Sequence, residues 1–79
     1  MDFAMAITEV MEGRRCARKG WNGKGQYIEL QKPDAHSKMT LPYIYITTVQ
    51  GDRVPWVASQ ADMLANDWNI VEGDNNGNQ

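Results

Sequence analysis

The chain has 79 residues, with ten acidic against eight basic side chains and a net charge of −2. That confines it to a single small domain and argues against a nucleic-acid coat protein or a binder of long nucleic acid, whose affinity comes from neutralising many phosphates. Its lone cysteine, Cys16, excludes an internal disulfide, and no Cys/His cluster offers a structural metal site, so self-association into a homodimer or homotetramer is the expected support for so small a core.

In chain order, the first element is a helix. Asp2 is a suitable N-cap, Phe3, Ile7, Val10 and Met11 recur at helical spacing to form one apolar stripe, and Gly13 stands where a helix stops. Residues 1–12 carry acids rather than a basic leader segment, so no signal peptide is expected. Arg14, Arg15, Arg18, Lys19 and Lys24 follow within a short stretch. This stretch reads either as a solvated strand edge or as an anion site. Cys16-Ala17-Arg18 predicts a short strand before the Gly20–Gly25 turn. Gln26 to Gln31 alternates, with Ile28 and Leu30 on one face and Tyr27 and Glu29 on the other.

Pro33 closes that strand because it has no N–H for a ladder. Residues 33–42 read as a loop that holds the single histidine, His36. Tyr43 to Val49 is rich in aromatic and β-branched residues and predicts a strand. Gln50-Gly51-Asp52 is a turn, and Arg53 to Val57 returns as its hairpin partner. Ser59 caps a second, short helix, with Asp62 three residues on in the spacing of a capping box, and Met63 and Leu64 are expected to pack inward. Asn66-Asp67 ends that helix, and Trp68 to Val71 alternates as the last strand. The fold class is therefore α+β, an antiparallel sheet with two helices, over residues 1–72. Residues 73–79 contain nothing apolar and predict a disordered tail.

Catalysis finds little support. A serine triad would need His36, in an exposed loop. Cys16 reads as a small buried hydrophobe. Asp62 is explained by its place in a helix first turn, and Gly20, Gly23 and Gly25 lack the spacing of a P-loop or dinucleotide fingerprint. No catalytic residue, metal or cofactor is assigned. Binding fits better. Trp21, flanked by glycines that let main chain approach a ligand, can stack on a planar ring. Asn22 can bond a ribose or base edge, and the Gly23 and Lys24 amides, with the Lys24 and Arg18 side chains, can meet phosphate. The rival reading makes Asn22-Gly23 a plain turn and Trp21 a cap on the core. Trp68 reads as core, while Trp56 is equally suited to core or pocket.

Two segments carry a family resemblance when taken together and in order. The first is Trp21-Asn22-Gly23-Lys24-Gly25. The second is Val54-Pro55-Trp56-Val57-Ala58-Ser59-Gln60-Ala61-Asp62-Met63-Leu64-Ala65, closed by Asp67-Trp68. With the N-terminal helix before them, they resemble the second Thoeris anti-defence family of phage and prophage proteins over roughly residues 1–72. The resemblance implies a sponge: a protein that binds a glycocyclic ADP-ribose made from NAD by a TIR-domain enzyme, keeps it from its effector and does not cleave it. It also implies a small antiparallel sheet with helices, assembled as dimers or dimers of dimers with ligand pockets between subunits. Some relatives take cyclic oligonucleotide signals of the CBASS type. Carried onto this sequence, the ligand-binding candidates are Arg18, Trp21, Asn22, Gly23, Lys24, Trp56, Ser59 and Asp62. The expected setting is the cytoplasm of an infected bacterium, with no membrane contact. The chain is short between residues 31 and 43, where longer relatives carry a larger loop. Two other classes remain open: a phage accessory module for protein interaction, and a small nucleic-acid module built on the basic stretch.

Overall fold

The computed structural model describes residues 1–72, and the tail predicted to be disordered lies outside the described residues. The elements run α1 (Phe3–Met11), β1 (Arg15–Arg18), β2 (Tyr27–Gln31), β3 (Tyr43–Thr47), β4 (Arg53–Pro55), α2 (Gln60–Leu64) and β5 (Trp68–Val71). This is the α+β class read from the sequence. The strands form one antiparallel sheet in the order β4-β3-β2-β1-β5, so the last strand closes on the first rather than on its neighbour in sequence.

Local chemistry sets the helix ends. The Asp2 carboxylate accepts the Met5 N–H at 2.9 Å, which satisfies one of the donors a helix N-terminus leaves open. Gly13 adopts φ +96°, the left-handed conformation that ends helices and that side chains with a Cβ resist. The buried stripe of α1 is formed by Ala6 and Val10, with Phe3 and Ile7 half-buried. Met11, expected in that stripe, is instead 54% exposed at the last turn.

Strand alternation decides which residues meet the helix. Cys16 lies opposite both Ile28 and Ile70, and Ile28 lies opposite Ile46. Successive residues point to opposite faces, so Cys16, Ile28, Leu30, Ile44, Ile46 and Trp68 share the α1 face. Ala6, Val10, Cys16, Ile28 and Trp68 form the fully buried centre, flanked by Phe3, Trp21, Leu30, Ile44, Ile46 and Trp56. The other face has no helix and carries Tyr27, Glu29, Tyr43 and Tyr45.

Five boundaries differ from the sequence reading, two of them by one residue: β1 begins at Arg15 rather than Cys16, and β2 at Tyr27 rather than Gln26. β3 stops at Thr47, because residues 48–52 are taken up by the hairpin turn: the Thr48 N–H donates to the Asp52 carbonyl at 2.8 Å and the Gly51 N–H to the Thr48 carbonyl at 2.9 Å. β4 stops at Pro55 instead of Val57. The second helix ends at Leu64, and Met63 and Leu64 point outward, 44% and 84% exposed. A single helical turn offers one inward position, and Asp62 takes it.

Candidate functional site

Asp62 organises the end of the sheet where both tryptophan segments arrive. Its own N–H donates to Ser59 Oγ at 3.0 Å, and its Oδ2 accepts the Ser59 N–H at 3.1 Å. This is the reciprocal capping box expected from the spacing. The box turns Oδ1 away from α2 toward the β1–β2 loop. There it accepts from Trp21 Nε1 at 3.0 Å and from Arg18 Nη1 at 2.9 Å. The Asp62 carbonyl accepts Trp68 Nε1 at 3.0 Å, so the Trp21 and Trp68 indole N–H groups end on one residue.

Arg18 is shared with a second acid. Its Nε donates to Asp67 Oδ1 at 2.9 Å, while Asp67 Oδ2 accepts the Gly20 N–H at 2.8 Å. A Cβ at Gly20 would lie 2.7 Å from that oxygen, so glycine is what allows the loop to approach. Burial pushes the Asp62 carboxyl up, but the hydrogen bonds from Trp21, Arg18 and Ser59 outweigh it and hold the group below its ordinary value. The Arg18 hydrogen bond does the same for Asp67, against a smaller opposing effect of burial.

The indoles pack around one centre. Trp68 is 2% exposed, in agreement with the core role read from the sequence. Trp21 stands edge-on to it at 5.3 Å and Trp56 at 6.0 Å, with interplanar angles of 78° and 85°, in the edge-to-face geometry that aromatic quadrupoles favour. Phe3 from α1 touches Trp56 and Trp68 at 6.3 and 5.7 Å. Trp21 and Trp56 are half-buried. Each therefore contributes to the core and keeps part of its ring at the surface. Asn22 is exposed beside Trp21.

The remaining candidates lie elsewhere. Gly23 and Lys24, with Arg18, Lys19, Gly25, Tyr27 and Asn69, line a cavity of about 220 Å³ to which Trp21 does not contribute. Tyr27 and Asn69 alternate with buried Ile28 and Trp68, which places this cavity on the helix-free face. The Gln26 side chain fixes the loop by donating to the Gly23 carbonyl at 3.1 Å, and a Cβ on Gly23 would lie 2.5 Å from Val49 Cγ2. Thus the structure brings Arg18, Trp21, Ser59 and Asp62 into one network, sets Trp56 beside it through Trp68, and turns Gly23 and Lys24 to the other side.

Asp67 was read only as a helix-end residue, and its hold on Arg18 and Gly20 was missed. The missed pairing spans 49 residues, and no local pattern encodes it. Tyr27 and Asn69 were also missed, although strand alternation places both on the outer face. The basic stretch is largely paired with acids. Arg14 meets Glu9 and Glu12, Arg15 meets Glu29, and Arg18 meets Asp62 and Asp67. His36 is exposed, and Cys16 is buried with its thiol pushed up chiefly by burial. Among the described residues no group of His, Cys, Asp and Glu is placed to hold a metal ion, and no helix is long and apolar enough to cross a membrane.

The two tryptophan segments and the aspartate they share all fall within a stretch of sequence that defines a protein family. The chain belongs to the Thoeris anti-defense 2-like domain family, which matches residues 1–71. It is similar to Thoeris anti-defense 2 of Bacillus phage SP01, with 32% identity over 84 residues, covering 90% of this chain and 94% of the relative. An anti-Thoeris role in phage infection follows from that membership.

Proposed function

We propose that the protein is a sponge: it binds a cyclic nucleotide immune signal, a glycocyclic ADP-ribose, and withholds it from the Thoeris effector without cleaving it. The observation that carries this reading is the partly exposed Trp21 indole, pinned at its N–H by Asp62 and packed against Trp68. A ring already fixed in place loses little freedom when a second ring stacks on it, so the stacking free energy goes into affinity. Trp21 and Trp56 offer ring surface, and Asn22 lies next to Trp21 for a ribose or base edge. Arg18, Ser59 and Asp62 hold Trp21 in position, and Gly23 and Lys24 meet phosphate. Arg18 acts through its carboxylate partners in this reading, because its Nε and Nη1 are already bonded.

The protein works in this reading as a homodimer or homotetramer in the cytoplasm of the infected cell. The test is to incubate pure protein with the signal, filter, and assay effector activation by the filtrate, then heat the complex and assay again. A silent filtrate followed by recovery of intact signal on heating is the expected result. Loss of the signal after heating would mark an enzyme, and an active filtrate would leave a protein-interaction role.

A further inference from the structure

We propose that the cavity on the helix-free face, walled by Lys19, Lys24, Tyr27 and Asn69, is a diphosphate-binding compartment separate from the Trp21 surface. Among the described residues its lining holds Lys19 and Lys24, together with the acid-paired Arg18, and no acidic side chain. Each arginine of the basic stretch, Arg18 included, sits against a carboxylate. Among the described residues no carboxylate pairs with Lys19 or Lys24. The Lys24 ammonium donates to the Lys19 carbonyl at 3.3 Å, which holds it at the rim of the cavity that Lys19 also lines. Two lysines at one rim with no acid beside them make a locally positive site that attracts an anion.

The walls are suited to such an anion. Tyr27 and Asn69 add a hydroxyl and an amide that can donate to phosphate oxygens. Gly23 and Gly25 leave main chain exposed at the wall, and Gln26 holds that loop in shape. The volume, about 220 Å³, falls short of the roughly 300–1,000 Å³ of pockets that enclose whole small molecules. It suits a charged group of a ligand whose remainder lies outside. Trp21 lies on the other side of the loop, against Trp68. The choice of diphosphate as the anion rests on the nucleotide-signal reading; the preference for a multivalent anion does not.

The experiment titrates inorganic pyrophosphate into the full chain, followed by amide NMR and calorimetry. Pyrophosphate is expected to shift the amides of residues 19–25 and 69 and to leave the Trp21 indole N–H resonance in place. The Lys19→Gln/Lys24→Gln double variant should bind at least about tenfold more weakly while melting at the wild-type temperature, and added salt should weaken the wild type. Lys24→Arg keeps the charge and should retain binding, and Lys38→Gln, an exposed lysine outside the cavity, should change nothing. The proposal is overturned if no amide of the set responds, if Lys38→Gln weakens binding as much as the double variant, or if the response centres on Trp21. Filtration with the signal is read separately. Pyrophosphate binding without signal capture removes the sponge and keeps the compartment, whereas signal capture without pyrophosphate binding removes only the compartment.

Discussion

Replacing Asp62 by asparagine keeps its shape and removes its charge. The one amide oxygen can still accept from Trp21 and Arg18 or from the Ser59 N–H, but not from both sides, and Arg18 loses its charge-assisted bond in a place that is 8% exposed. A loss of about 2 kcal/mol in stability is expected, read by urea unfolding. The same carboxylate sets an acid limit. Asp62 and Asp67 both titrate below their ordinary value when folded. Their contribution is complete above the unfolded value and disappears as pH falls through the lower folded values. Melting temperature should therefore hold steady from neutral pH to about pH 5 and drop below about pH 4, with a shallower drop in Asp62→Asn. Trp21→Ala removes the proposed stacking surface. It should weaken signal binding by roughly 5- to 150-fold, the equivalent of about 1–3 kcal/mol. Ligand titration and melting on the same variant separate a lost surface from a lost core contact, and wild-type affinity in a folded variant would remove Trp21 from the site.

The helices show where sequence speaks plainly. The Asp2 cap, the Gly13 stop and the Ser59–Asp62 box each involve atoms within a few residues of one another, and all three are present as read. Packing was harder to read. Met63 and Leu64 looked like inward positions, yet one turn of helix has no repeating stripe to orient it. Its direction comes from Arg18 and Trp21, which are 44 and 41 residues away from Asp62 in sequence. Ser59→Ala should cost about 1 kcal/mol by loss of the cap. If α2 mainly presents Asp62, the same change should also loosen Trp21, seen as faster hydrogen exchange at its indole N–H. An unchanged indole exchange rate would confine Ser59 to the helix itself. In the sheet, Ile28 is fully buried on β2 beneath α1. Ile28→Ala should therefore destabilise by roughly 2–5 kcal/mol in urea unfolding.

At the scale of the whole molecule, the fully buried apolar centre consists of Ala6, Val10, Cys16, Ile28 and Trp68, while Met39, Leu41, Val54, Val57 and Leu64 remain 44% or more exposed. A small core and abundant exposed apolar surface fit self-association, because copies that cover such surface stabilise one another by mass action. Light scattering at micromolar concentration should give a dimer or tetramer, and a stable monomer would remove assembly from the functional proposal. The fold was legible from alternation and turns taken one segment at a time. The division of the candidate site was not. Trp21 and Lys24 are three residues apart in sequence, yet the loop between them turns one toward Trp68 and the other to the opposite face of the sheet. Sequence distance carries no information about such a division.

The arrangement of the indoles also gives the protein a built-in optical response. With Trp21 and Trp56 5.3 and 6.0 Å from Trp68, excitation of one ring passes readily to its neighbours, and the three emit as a coupled unit rather than as independent lamps. A ring settling on Trp21 would then dim light collected by all three. Occupancy at that surface would become visible without a label, while an anion entering behind the loop would leave the emission unchanged.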